Sequence, residues 1–168
     1  MAKPDIVDPA RVLLTALADR MQLYHENAVL CLRQLRADHL WYRARPRDNA
    51  VGNLILHVAG NLLQIVSRIE GMADPRDREA EFAANGGWSQ HRLMDLLAEG
   101  VTQFTLLVEN LPTERLTDPY PVRGKKTTAA YALIMGISHF SLHLGQMQFI
   151  AKGLLGSDYQ EAPLRGPR

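Results

Sequence analysis

At 168 residues the chain is long enough to bury a sizeable core and short enough to make a second domain unexpected. Nineteen lysines and arginines stand against 18 acidic residues, so no basic field draws in nucleic acid or an anionic membrane surface. The single Cys31 excludes an intrachain disulfide and a cysteine-rich zinc module, and it suits a reducing compartment.

The opening Met1-Ala2-Lys3-Pro4-Asp5 lacks the apolar core of a signal peptide. No apolar run approaches the roughly 20 residues that a membrane span needs. The expectation is a soluble, cytoplasmic protein with neither nucleic acid nor membrane as partner. Asp8-Pro9 supplies a helix N-cap followed by proline at the first helical position, where its missing N–H costs nothing. The first helix is predicted over 9–36 with the apolar stripe Leu13, Leu17, Tyr24, Ala28, Cys31 and Leu35. Cys31 lies on that stripe, which makes it a small buried hydrophobe rather than a nucleophile. His25 lies beside the stripe and could serve as a ligand, but an isolated histidine on a helix flank reads first as a solvated side chain.

Residues 37–49 read as a solvated polar connection, with Leu40 and Trp41 folding back as a plug on the core. The second helix, predicted over 50–70, is apolar nearly all round and should be buried on most sides. It also carries a polar seam of Asn53, His57, Asn61 and Gln64, and each of these needs a partner, because an unpaired buried polar group costs about 1–3 kcal/mol. Two readings stand: a set of interhelical hydrogen bonds, or His57 as a metal ligand with Asn61 one turn on as a pocket group. Residues 71–88 form a long Gly- and charge-rich stretch of the kind that serves as a lid.

Ser89 is a plausible cap for a third helix over 90–110, with the stripe Leu93, Leu96, Leu97, Val101, Phe104, Leu107 and Val108. His91 in its first turn is poorly placed for a cation, because the helix dipole is positive there. A turn-rich link then leads to the last long helix, predicted over 127–152, capped by Thr127 or Thr128 and closed by Gly153. Residues 156–168 read as an irregular tail. With no repeat and no period-2 strand pattern, the fold class is all-α, a four-helix bundle.

His139 and His143 are four apart on the last helix, so their imidazoles stack on one face, with Gln146 a turn further on. Two imidazoles chelate a metal, but open catalytic sites usually take three protein ligands, so the chain has to supply another. His25, His39 and His91 have no such same-face partner. His57 sits mid-helix in the second helix, and bundles build metal sites where facing helices meet in the core.

The motifs His57-Val58-Ala59-Gly60-Asn61, Arg76-Asp77-Arg78-Glu79 with Glu81-Phe82, and His139-x-x-x-His143-x-Gly145-Gln146 with Lys152 resemble the DinB/YfiT-like superfamily. The nearest likeness is to its domains with a His-x-Ala-Gly-Asn second helix. The resemblance spans roughly residues 10–155, and its specific part is the histidine triad. It implies a four-helix bundle, often a homodimer, that holds a divalent metal through His57, His139 and His143. It further implies a small-molecule substrate and, in several relatives, a low-molecular-weight thiol as co-substrate for an S-transfer; others act as isomerases or hydrolases.

Three neutral nitrogen ligands leave the metal's full charge for the remaining positions. That charge brings a bound water's pKa toward about 7 for zinc and deprotonates a coordinated thiol. Zinc, nickel, iron and copper all suit imidazole. No carboxylate on the second or fourth helix is an obvious general base, which favours the thiol over the hydrolytic version, with Asn61 and Gln146 orienting water or substrate. The rival from another class is a non-catalytic bundle with a structural metal.

Overall fold

The structure, a computed structural model, describes residues 8–162. Residues 1–7, read as free of a signal sequence, and 163–168, the end of the expected tail, lie outside the described residues. Among the described residues six α-helices follow one another: α1 (Pro9–Arg33), α2 (Ala37–Leu40), α3 (Val51–Ile69), α4 (Arg78–Ala83), α5 (Gln90–Asn110) and α6 (Ala129–Leu155). The four long ones are those expected from periodicity. Among the described residues there is no named strand, only isolated bridges at Pro119–Thr128 and Val122–Lys125. No described helix is long and apolar enough to cross a membrane.

Local chemistry sets the helix starts. Asp8 accepts from the Ala10 amide ahead of Pro9, Ser89 accepts from Arg92, and Thr128, rather than Thr127, accepts from Tyr131. The Thr127 hydroxyl instead donates to the Tyr120 carbonyl. Gly153 does not end α6. The helix runs one further half-turn to Leu155 and stops at Gly156, whose φ of +57° lies in the left-handed region that glycine adopts without a Cβ penalty.

Each long helix packs on two of the others: α3 on α5 and α6, and α1 on α5 and α6. Arg11 at the start of α1 donates to the carbonyls of Glu109 and Leu111 at the end of α5, while Gln90 at the start of α5 donates to those of Leu32 and Leu35. These helices are therefore antiparallel. The α3 and α5 helices run parallel, since Gly100 lies against Ala59 and Leu62, and Arg115, just past α5, reaches the Ile69 carbonyl at the end of α3. Antiparallel packing of α6 on α3 places His139 opposite His57 and Gly136 opposite Ile65.

Helix α3 is buried along almost its whole length, as its all-round apolar sequence requires. All the α5 stripe residues except the half-buried Leu96 are core. In α1 the buried stripe is Leu14, Ala18, Met21, Ala28, Cys31 and Leu32, with Leu35 buried just past its end; Leu13 is 45% exposed and Leu17 and Tyr24 are half-buried. The expected stripe was thus rotated by one residue at its N-terminal end. Adjacent leucines let two faces satisfy the same period, and packing chose the one with the small Ala18. His25 falls on that buried stripe rather than in solvent, and its Nε2 is buried without a hydrogen-bond partner. Cys31 is buried as expected, and burial pushes its thiol up to about 11.

The 37–49 connection is more than a solvated linker. It contains α2, whose Leu40 is buried, and the Trp41 ring lies flat against Gly52. His39 is buried and takes the Arg36 amide on Nδ1. Arg43 donates to Asn53 Oδ1 and to the Ala84 carbonyl.

Candidate metal centre

His57 comes from the middle of α3, and His139 and His143 come from successive turns of α6. The antiparallel pairing of those helices brings three imidazoles from two elements together. The Nε2 atoms of His57 and His143 each lie 3.1 Å from Nε2 of His139, and the three rings stand 4.4–5.0 Å apart between centroids. His57 is buried, and His139 and His143 are half-buried.

The neighbours of the rings set their tautomers. Gln146 Oε1 stands 2.7 Å from His143 Nδ1, and an amide oxygen only accepts, so His143 carries its hydrogen on Nδ1. Glu81 Oε2 stands 2.7 Å from His57 Nδ1 and fixes that ring in the same way. Arg76 Nη2 also lies 2.9 Å from His57 Nδ1. That nitrogen cannot accept while its hydrogen points at the carboxylate, so the guanidinium's partner here is Glu81 Oε2, at 3.0 Å.

Two Nε2 lone pairs consequently face a third nitrogen. His139 can share a proton with only one of them, and its own Nδ1 is buried with no hydrogen-bond partner. A cation accepts all three lone pairs at once, so the donor set fits a metal ion and fits a purely hydrogen-bonded core poorly.

Electrostatics favours the same state. Burial, then the neighbouring His143 and His57 and the Arg76 guanidinium, push His139 down to about 3. Burial also lowers His143, against the opposing effect of its bond to Gln146. Both rings are therefore neutral and able to ligate at neutral pH.

The polar seam of α3 has a use that the sequence left open. Gln64 and Arg68 hold Asp74, and Arg76 Nη1 donates to Gln64 Oε1. His57 holds Glu81, and the Asn53 amide donates to the carbonyls of Glu81 and Ala84. The segment after α3 is thus laced along the seam instead of hanging over it as a free lid, and Phe82 lies 4.5 Å from the His57 ring, centroid to centroid. Within that segment Asp77 caps α4 by accepting from the Ala80 amide.

Glu81 and Arg76 are the residues whose roles the sequence reading missed. Both lay in the family-like motif, and a polar seam on an apolar helix signals that such partners must arrive from elsewhere. Burial opposes the charge on Glu81, yet hydrogen bonds from His57 and Arg76 hold it below the usual carboxylate range. Asn61 is buried one turn from His57, and its Oδ1 has no hydrogen-bond partner. His91 is exposed near Asp95, and neither it, His25 nor His39 joins the triad.

Beyond Gln146 the outer face of α6 and the 42–49 connection enclose a groove of about 900 Å³, walled by Tyr42, Leu54, Phe149 and Ile150, with Arg47 at its edge.

Fold and site together define an α-helical bundle with a three-histidine centre between two antiparallel helices. The family described as a protein of unknown function (DUF1572) matches residues 8–165, and the chain belongs to it. Three solved structures share the fold. A conserved protein from Enterococcus faecalis is 18% identical, with a TM-score of 0.75 over 85% of this chain and 97% of that one. A DinB-like protein, YjoA, from Bacillus subtilis is 16% identical, with a TM-score of 0.67 over 91% of this chain and 99% of its own. A DinB-like protein from Bacillus cereus is 16% identical, with a TM-score of 0.66 over 82% and 90%. The expected DinB/YfiT-like four-helix bundle is therefore the fold found. Among curated proteins none matches the chain.

Proposed function

We propose that the chain is a divalent-metal-dependent enzyme that activates a low-molecular-weight thiol at His57, His139 and His143 for transfer to a small electrophile. The observation that carries this reading is the convergence of three Nε2 atoms at 3.1 Å separations, two of them with tautomers fixed by acceptors behind the rings. A bound zinc, nickel or iron ion supplies positive charge that lowers the pKa of a thiol or water beside it.

The residues around the centre favour a thiol over water as nucleophile. Hydrolysis needs a free base to take the second proton, and the nearby carboxylate is fully engaged: Glu81 Oε1 accepts from Arg76 Nε, and Oε2 from His57 and Arg76 Nη2. A thiolate needs no such relay. Asn61 lies one turn from His57 with a buried, unpartnered Oδ1 that would accept an N–H or S–H brought to the centre, while Gln146 keeps His143 in place and itself lines the groove. The groove's volume suits a small molecule rather than a macromolecule.

A homodimer is part of the same proposal. Tyr131, Ile134, Leu142 and Phe149 are all exposed on the outer side of α6, and a second copy is the simplest cover for them.

The test is metal analysis of protein purified without added metal, followed by a screen of thiols against electrophiles with loss of free thiol as readout. Thiol consumption that stops on chelation and returns with metal is the expected result. Metal-loaded protein that turns over no thiol, but is strongly stabilised by its ion, would leave the non-catalytic bundle as the better reading.

A further inference from the structure

The buried charges of this protein cluster at one point. The side chains of His57, Arg76 and Glu81 are each only 7–8% exposed. A buried ion pair is poor value for stability alone, since well-packed apolar groups of similar volume serve as well or better. An arrangement that expensive, set directly against a ligand-type imidazole, is explained by what it does to the ring. The seat beneath it is equally specific: a Cβ at Gly60 would fall well inside contact distance of Glu81 Oε1, so the carboxylate rests on bare α3 backbone where alanine would be the better helix former.

We propose that Glu81 is a positioning residue for the metal centre and that Gly60 is its seat, so that cation binding at the triad and docking of residues 74–84 on α3 stabilise one another. This rests on the reading of the triad as a metal site. The physical route is short. Glu81 accepts from His57 Nδ1, which directs the Nε2 lone pair toward His139 and His143. Arg76 grips both oxygens of Glu81 and is itself tied to Gln64, so the carboxylate has a defined position only when the segment is down on the seam. Coupling of this kind is reciprocal: if the docked segment tightens the cation, the cation must tighten the segment.

Zinc affinity is measured by competition with a chromophoric chelator for the full chain and for Glu81→Ala, Glu81→Gln, Gly60→Ala and Gly60→Ala/Glu81→Ala, with the spectrum of the cobalt(II) form as a second readout. Glu81→Ala and Gly60→Ala should each weaken binding about 10- to 100-fold, the range for losing an acceptor behind a ligating histidine. The double variant should be no worse than either single one, because both remove the same carboxylate from the same place. Glu81→Gln keeps shape and an acceptor oxygen, so it should fold normally, fall between, and shift the cobalt bands. Amide exchange over 78–84 should slow on zinc binding in the parent chain and not in Glu81→Ala. If the parent binds zinc and the variants match it within twofold while merely melting earlier, Glu81 is structural and the inference fails alone. If the parent binds no metal, the reading of the triad fails with it.

Discussion

Gln146 Oε1 lies 2.7 Å from His143 Nδ1, one turn along the same helix. This pair uses the i, i+3 geometry of α6 to fix a tautomer with no help from another element. Gln146→Leu removes the acceptor and should lower metal affinity about tenfold without changing the helical circular-dichroism signal, because the side chain is exposed. Calorimetric titration with zinc checks it; an affinity equal to that of the parent chain would show that His143 needs no such hold.

Single changes of His57, His139 or His143 to alanine leave two imidazoles and should cut metal occupancy sharply. Changing His25 and His91 together should leave it near the parent value, since neither touches the triad. His39→Ala should cost about 1 kcal/mol of stability through its lost bond to the Arg36 amide, with metal content unchanged. Elemental analysis of the purified variants decides the division, and equal loss in both groups would place the site elsewhere.

Burial lowers the pKa of His25, partly offset by Glu26, and burial also lowers His139 and His143. The folded metal-free chain keeps these rings neutral where the unfolded chain takes up protons near 6.5. The unfolded state then binds more protons, so stability rises with pH across this window. Their contribution is complete above pH 6.5 and is lost as pH falls toward the folded values, at up to about 1.4 kcal/mol per pH unit for each proton. Glu81, held low, remains ionised through the upper part of that range. Urea midpoints of chelator-treated protein should change little from pH 7.5 to about 6.5 and fall steadily below it to pH 5; a flat profile through that lower range would contradict the burial of the rings.

Phe149 is 80% exposed and Leu142 is 61% exposed on the outer face of α6. If that face joins two copies, Phe149→Glu together with Leu142→Glu should halve the mass seen by light scattering and leave melting of the monomer little changed. A parent chain that is already monomeric at high concentration would remove the dimer.

The four long helices, the caps Asp8 and Ser89 and the His139–His143 pair were legible in the sequence because each rests on short-range rules, whereas His57, with two readings open, joined the pair only through a family resemblance. A cap needs one side chain and a nearby amide, a stripe needs a period, and His139 with His143 needs only a spacing of four. What stayed hidden depends on contacts across distance in the chain. Glu81 meets His57 over 24 residues, and nothing in the composition of Arg78–Ala83 says which way its one buried carboxylate will face. The α1 face was misjudged for a related reason: Leu13 and Leu14 are equivalent as sequence, and only the shape of α5 and α6 separates them. The unpaired seam Asn53, His57, Asn61 and Gln64 was the available clue, since its demand for partners could be read before the partners could.

The parallel run of α3 and α5 has a consequence for how the chain can be routed. Helix α3 has 19 residues and is about 28 Å long, so a chain leaving its far end must travel that distance back before α5 can begin. Even fully extended, that return takes about eight or nine residues, and the traverse from Glu70 to Ser89 is made along α3 itself, past His57. The carboxylate behind His57 therefore rides on a stretch that the topology requires in any case. Shortening this return below the reach it must span would change the order of the helices before it changed the chemistry of the site.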